Sequence, residues 1–282
     1  MGVRVTFHGV RGSTPCSGEE IRRYGGNTAC VSVLAPGEQP LLLDLGTGLR
    51  YYGMSRAAGE TFRGSCLLTH LHWDHAQGLP FFRGALTPGA EFDIYGPQQD
   101  DGRSLEDAVR TFLSPPHFPV PLEGLPGKIR FHDLGEEDLR IGGAEVVARF
   151  VPHNGPTLGY RITVGGVSIA YIPDHQMPYD GSFAIVEEVH TLIDGVDLLI
   201  HDAQYLPEEF EAKRDWGHCT AEFAAWVASE GRVRRLALFH HDPLRDDDAL
   251  DAFEARFARE AAPAGREVFA ARQGQTVVLT PS

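Results

Sequence analysis

The chain alternates short apolar runs with turns rich in Gly, Pro and Asn. In the first half, Val3–Phe7, Ala29–Leu34 and Leu41–Leu45 have the apolar, β-rich pattern of strands. Gly48–Ala58 predicts a helix. Ser65–Thr69 is another short apolar run, and it leads straight into a histidine cluster. Glu91–Tyr95 predicts a strand, and Ser104–Leu113 a helix capped by Ser104. In the second half, Lys128–Asp133, Ala144–Val151, Gly159–Val164 and Val167–Ile172 read as strands, with Gly165-Gly166 as a two-residue hairpin turn. Phe183–Ile193 predicts a helix, and Asp197–Ile200 a buried strand ending in His201-Asp202. Thr220–Ser229 predicts a helix capped by Thr220. Val233–Phe239 predicts a strand ending in His240-His241, and Leu250–Ala261 a helix. Strands in both halves, with helices between and outside them, predict an α/β (α+β) chain with helices packed on two central sheets. There is no strict repeat and no low-complexity tract, so residues 1–282 are expected to form one domain.

Composition narrows the picture. Between Pro97 and Gly127 there are six prolines, and five Asp or Glu against two Arg. Such a stretch is either an ordered surface excursion or a substrate lid. The whole chain of 282 residues carries a formal charge of −14 and no Lys/Arg cluster longer than two. Stable nucleic-acid binding is therefore disfavoured, which leaves room for a local positive site made by metal ions. Cys16, Cys30, Cys66 and Cys219 form no C-x-x-C pair and suggest no disulfide scaffold. The start of the chain lacks a signal-peptide pattern, and no uncharged apolar run approaches membrane-spanning length. A soluble, cytoplasmic protein with no membrane partner is expected.

The chemistry concentrates in Thr69-His70-Leu71-His72-Trp73-Asp74-His75, three imidazoles and a carboxylate within six residues after an apolar strand. Imidazole and carboxylate are ligands that Zn²⁺, Mn and Fe accept. His70 and His72, two apart on an extended segment, share a face. A turn after His72 can send Asp74 and His75 toward a second ion. These four groups leave two ions short of ligands, so more should stand at strand ends downstream. His153, Asp174 and His240 each follow such a strand.

These residues resemble the metallo-β-lactamase superfamily, over nearly the whole chain. The resemblance implies an αββα four-layer sandwich of two mixed sheets, with the metal site at one edge. It implies His70, His72 and His153 on one divalent ion and Asp74, His75 and His240 on the other. Asp174 would bridge them, and the adjacent His241 would not be a ligand. Asp44, in Leu43-Asp44-Leu45-Gly46-Thr47-Gly48, resembles a structural Asp beneath the site. The ions would be two, zinc first, with manganese or iron as alternatives.

Asp174, standing where class B β-lactamases usually have Cys, points to the RNase Z, cyclic-phosphate phosphodiesterase and glyoxalase II branches. His201-Asp202-Ala203-Gln204 resembles the His-Glu-Ala-Thr segment of RNase Z, with Asp202 replacing Glu. Gly217-His218-Cys219-Thr220 resembles its Gly-His-Ser-Thr segment, with Cys219 replacing Ser. Gly9-Val10-Arg11-Gly12-Ser13-Thr14-Pro15 and Tyr24-Gly25-Gly26-Asn27-Thr28 resemble a bacterial subfamily of cyclic-phosphate phosphodiesterases. The resemblance implies a hydrolase using a metal-bridging hydroxide on a small cyclic or terminal phosphodiester, with His218, Asp202 and Asp174 in catalytic roles. A glyoxalase II-like thioesterase or lactonase, RNase Z itself, and a non-enzymatic metal-binding module are the rivals. A homo-oligomer is compatible with the sequence. His8, His132 and His190 read as solvated or packed, and His117 as structural. His175 and His241 read as making supporting hydrogen bonds, and His201 as turned away from Asp202. Arg245–Asp248 reads as a solvated helix start.

Overall fold

The computed structural model describes residues 2–57 and 60–281. The chain opens with six strands: β1 (Val3–Gly9), β2 (Cys30–Leu34), β3 (Leu41–Leu43), β4 (Arg63–Leu67), β5 (Glu91–Pro97) and β6 (Lys128–Leu134). Seven more follow: β7 (Glu137–Ile141), β8 (Ala144–Phe150), β9 (Leu158–Val164), β10 (Val167–Ile172), β11 (Leu198–Asp202), β12 (Arg235–Phe239) and β13 (Glu267–Ala270). A last strand, β14 (Thr276–Leu279), returns to the first sheet. Among the described residues these form two seven-stranded sheets, ordered β14-β1-β2-β3-β4-β5-β6 and β13-β12-β11-β10-β9-β8-β7. Both are mixed, as the αββα expectation requires.

The apolar runs are continuous because the inner strands are covered on both faces. Leu41, Leu43, Leu67, Tyr171, Ile200 and Phe239 enter the core between the sheets. Their neighbours Leu42, Cys66 and Leu68 pack outward against helices α1 (Gly48–Ser55) and, beyond the short α2 (Trp73–Ala76), α3 (Leu105–Phe112). On the other side Ile172, Leu199, Leu236 and Leu238 pack outward against α4 (Glu187–Ile193), α6 (Ala221–Glu230) and α7 (Asp247–Ala261), with α5 (Pro207–Lys213) preceding α6. Among the described residues no helix is long and apolar enough to cross a membrane.

Strand direction positions the chemistry. β3, β4, β5 and β6 are mutually parallel, as are β10, β11, β12 and β13. β8 and β10 flank β9, each antiparallel to it, so those two run the same way. The carboxyl ends of β3, β4, β8, β10, β11 and β12 therefore deliver Asp44, His70, His153, Asp174, Asp202 and His240.

Several expectations need correction. The helix expected over Phe183–Ile193 begins only at Glu187, and the Phe183 ring instead packs on Phe223 and Trp226. The helix from Gly48 ends at Ser55, and Ala58 lies outside the described residues. Edge strands β7, β13 and β14 were not expected: β7 is largely polar, and β13 and β14 are mainly apolar runs of only four residues. Arg245–Asp248 does hold the start of α7, with Asp246 as its N-cap, but only Asp246 and Asp248 are solvated. Arg245 is buried and donates to the Gln204 carbonyl and to Glu209, while Asp247 accepts the Arg23 and Tyr24 amides. Ser104 and Thr220 do cap their helices, accepting from the Asp107 and Phe223 amides.

His8 is packed: its Nε2 lies 2.8 Å from Ser32 Oγ and its ring meets the Tyr52 ring. Burial pushes its pKa down to about 4. The unfolded chain regains the ordinary value, so this stability is fully present above about pH 6.5 and is lost as pH falls toward the folded value. Chemical denaturation should show His8→Gln with a flatter stability profile than the parent protein, which should lose about 2 kcal/mol more between pH 7.5 and 5.

Candidate metal centre

Thr69 to His72 leaves β4 extended, and His72 then stands as the N-cap of α2 with φ −60° and ψ 150°. The turn expected after His72 is this four-residue helix, whose first turn carries Asp74 and His75. His153 comes from the loop after β8. Asp174 follows β10, and His240 follows β12 with φ +57°. That left-handed backbone is costly for a non-glycine residue and is sustained only by its surroundings. It also separates two adjacent imidazoles. His240 enters the cluster, while His241 turns away and donates from Nε2 to the Ala271 carbonyl.

Two groups of side chains converge. One comprises His70, His72, His153 and Asp174, the other Asp74, His75 and His240. Asp174 reaches both: Oδ2 lies 3.7 Å from His70 Nε2 and 3.5 Å from His153 Nε2, and Oδ1 lies 3.0 Å from His75 Nε2 and 3.3 Å from His240 Nε2.

Hydrogen bonds behind the rings fix which nitrogen faces inward. His75 Nδ1 donates to Asp44 Oδ2 (2.7 Å), His153 Nδ1 to the Gly217 carbonyl (2.6 Å), and His240 Nδ1 to Gln204 Oε1 (2.7 Å). Thr69 Oγ1 spends its proton on Asp44 and so accepts from His70 Nδ1 at 3.0 Å. Nε2 is therefore the inward atom of each of these four rings, and partners of this kind set the tautomer of metal-binding histidines; on His75 a cation would have to displace the proton that its carboxylate neighbours favour.

The inward atoms crowd one another. His70 Nε2 is 2.9 Å from His72 Nδ1, His75 Nε2 is 3.1 Å from His240 Nε2, and His240 Nε2 is 3.0 Å from Asp74 Oδ2. These are contacts between acceptors unless a cation or proton lies between them. Asp174 Oδ1, despite its short distances, has no contact with hydrogen-bond geometry and is a buried oxygen without a partner. This all-nitrogen-and-oxygen donor set fits divalent cations.

The charges agree. Burial pushes the His70 and His72 pKa values down, and that of His153 down to about 4, which keeps these rings neutral as ligation requires. Burial also acts downward on His75, but Asp174, Asp74 and Asp44 outweigh it and hold its pKa well above the ordinary value. Burial opposes ionisation of Asp174, yet His240, His75 and His70 hold it well below the usual carboxylate range.

Beside the cluster, His218 Nδ1 lies 3.0 Å from Asp202 Oδ2. Asp202 is fully buried, and it also accepts the His175 and Gln204 amides. Burial lowers the His218 pKa, but Asp202 overcomes this and the net shift is upward. His218 stacks on His240 with ring centroids 4.9 Å apart, close enough for His218, Asp174 and His240 to form a third group with ligand spacing. A cleft of about 410 Å³ opens here, lined by Ser13, His72, Asp74, Asn154, Asp174, Asp215, Trp216 and His218.

Of the remaining histidines, His175 and His201 bond to each other by their rings, away from the cluster. The hydrogen bond expected from the His175 side chain is made instead by its backbone amide, and the His241 ring makes none to the cluster.

Sequence reasoning assigned no role to several supporting groups. The Ser13 amide donates to Asp74 Oδ2 at 2.7 Å, and Gln204 orients His240. Arg11, fully buried, donates to the Gly25, Asp242 and Arg245 carbonyls and ties the amino-terminal loop to the segment after His240. The signal was present in Gly9–Pro15 and in Asp202-Ala203-Gln204, but it named no contact.

A beta-lactamase superfamily domain profile matches residues 63–241. Among curated relatives, the ribonuclease Z of Natronomonas pharaonis is 26% identical, over 99% of this chain and 96% of its own length. Among solved structures, the metallo-beta-lactamase fold protein YhfI from Bacillus subtilis matches with a TM-score of 0.71 at 18% identity, covering 98% of this chain and 99% of that one. A diphosphatase of the PhnP family matches with a TM-score of 0.69 at 18% identity, covering 98% and 97%. At such identities the two structures speak for the fold.

Three substitutions test the centre through metal analysis. Asp174→Ala, which removes the one carboxylate common to both groups, should lower metal content below that of the parent protein, whereas His241→Phe should match the parent. A Cβ on Gly12 would stand 2.3 Å from His240 Nδ1 and 2.6 Å from Gln204 Oε1. Gly12→Ala should therefore displace His240 and weaken binding of one ion while sparing the other. Equal metal content in Asp174→Ala and the parent protein would overturn the shared-ligand assignment.

Proposed function

Because this chain belongs to the metallo-β-lactamase superfamily, in its RNase Z-like branch, we propose that it is a binuclear phosphodiesterase acting on small cyclic or terminal phosphodiesters. At the coarser level it is a hydrolase of that fold, and the fold implies divalent metals. His70, His72 and His153 would hold one ion, Asp74, His75 and His240 the other, and Asp174 both. When bound, such ions supply positive charge for phosphoryl oxygens and activate water at neutral pH. We further propose that residues 1–282 work as one domain, since the ligand set draws on both sheets.

One observation carries the reading: the His218–Asp202 pair beside the ligand cluster. Asp202, anchored by two amides, fixes His218 through Nδ1 and favours its protonated form. Nε2 is left without a protein hydrogen-bond partner among the described residues. An imidazolium there donates to a phosphoryl oxygen or protonates the departing alkoxide, both of which gain charge as the ester bond breaks. A thioester releases a thiolate, which leaves without such an acid, so the pair speaks most directly against a thioesterase.

The preference for a small substrate rests on charge. The cleft lining contains Asp74, Asp174 and Asp215 and no Lys or Arg. A polyanion needs cations spread along its path, and this chain carries a net charge of −14. The names of the curated relatives favour RNase Z as a second reading, in which precursor tRNA is the substrate.

His218→Ala should keep both ions and reduce turnover of phosphodiesters by roughly 10²–10⁴. Asp202→Asn should cost less, because the imidazole stays in place without its charge partner. A panel of cyclic nucleotides, aryl phosphodiesters, precursor tRNA, a thioester and a lactone, assayed with both variants, checks this. Loss of an ion from His218→Ala would make His218 a ligand, and full phosphodiesterase activity would move the thioesterase or lactonase reading ahead.

A further inference from the structure

An apolar recess of about 360 Å³ lies against α2, lined by its Trp73, Ala76 and Gln77. Trp73, Gln77 and Phe81 form one wall, and Phe112, His117 and Phe118 form the other, which comes from the end of α3 and the Pro-rich segment after it. The recess is therefore bounded by the excursion between Pro97 and Gly127. Its lining holds no carboxylate, Lys or Arg, unlike the acidic cleft beside it.

Two features mark it as a binding surface. Trp73 is 77% exposed and Phe81 54% exposed, so aromatic faces are left in water next to the ligand cluster. Phe81 meets Phe118 edge to face, with centroids 5.8 Å apart, which joins the two walls at one side. The recess and the metal cleft share no lining residue, but they adjoin along the chain: His72 and Asp74 line the cleft, and Trp73 between them lines the recess. A ligand whose phosphate lies at His72 and Asp74 needs to cross one residue to reach the recess.

We infer that the recess takes a flat, uncharged aromatic ring carried on one ester group of the substrate phosphate, directly as an aryl ester or across a ribose as a nucleobase, and that Trp73, Phe81 and Phe118 set this preference. The inference deepens the phosphodiesterase reading and rests on it. An aromatic ring matches the chemistry of the walls, because offset stacking and edge contacts reward rings beyond their area. The volume lies within the usual range of small-ligand sites and holds a phenyl ring or a nucleobase. The lining offers a charged group no Lys, Arg or carboxylate to pair with.

The test uses metal-replete protein and calorimetric binding of two matched pairs, phenylphosphonate with methylphosphonate, and adenosine 5′-monophosphate with ribose 5-phosphate. The parent protein should bind the aromatic member of at least one pair about ten-fold more tightly or better, and the pair that discriminates identifies an aryl or a nucleoside substrate. Trp73→Ala and Phe81→Ala, at exposed positions that a fold tolerates, should abolish that preference. They should leave metal content and the affinity for methylphosphonate and ribose 5-phosphate unchanged. Equal binding within both pairs by the parent protein would overturn the inference and leave the phosphodiesterase reading standing. So would variants that weaken both members of a pair equally, since Trp73 would then be positioning α2. If none of the four compounds binds, the phosphoryl site itself fails, and the inference falls with it.

Discussion

The metal edge of this protein depends on one buried carboxylate, Asp44. Its oxygens accept from the Thr69 amide and hydroxyl, from His75 Nδ1 and from Tyr171 Oη. Those donors lie after β4, on α2 and on β10, so a single side chain joins the two sheets exactly where the ligands emerge. A buried charge left unpaired would be prohibitive, and only this full set of donors makes Asp44 tolerable. In return it fixes the tautomer of His75 directly and that of His70 through Thr69. Its own backbone is left-handed, with φ +61°, which the convergence of these bonds sustains.

A second constraint follows from the first. Fixing the Nδ1 protons outward aims lone pairs inward, and the inward atoms then stand against one another and against Asp74 and Asp174. No arrangement of protons on neutral rings satisfies all of them, which is why Asp174 Oδ1 is left without a hydrogen bond. The fold has concentrated unsatisfied acceptors at one point, and cations answer that demand. This would also reconcile an acidic protein with the phosphorylated substrate proposed for it. The positive charge that an anion needs would come from the centre and from His218, not from a basic surface.

The amino-terminal segment acts as a clamp on this arrangement. Arg11 binds the Asp242 and Arg245 carbonyls of the chain that leaves His240, the Ser13 amide holds Asp74, and Gly12 lets the backbone pass against the His240 ring and Gln204. Opposite it, Gly217, at φ +95°, lies against the His153 ring, where a Cβ would stand 2.5 Å from Nδ1. Each cluster of ligands thus has a glycine that allows close backbone approach, and each glycine sits beside a residue that touches the site: Ser13 in one case, His218 in the other.

Much of this was legible in the chain. Continuous apolar runs such as Leu41-Leu42-Leu43 marked strands covered on both faces, and imidazoles and carboxylates directly after them marked a metal edge, because strand ends are where a sheet can present polar groups to water. The spacing in His70–His75 was local enough to be read without any tertiary knowledge. The edge strands β7, β13 and β14 were not legible, since β7 is largely polar and the four-residue runs of β13 and β14 are too short to stand out until a neighbouring strand pairs with them. Arg245 and Asp247 looked like solvated charges because sequence shows charge and not the buried carbonyls and amides that pair with it. The choice between His240 and His241 rested on resemblance until the left-handed backbone at His240 sent the two rings in opposite directions. Likewise the roles of Ser13, Gln204 and the Gly217 carbonyl, and the recess beside Trp73, arise between segments far apart in the chain. Sequence determined which chemistry the protein carries, through local patterns; the packing of the two sheets decided which atoms meet, because those contacts are long-range.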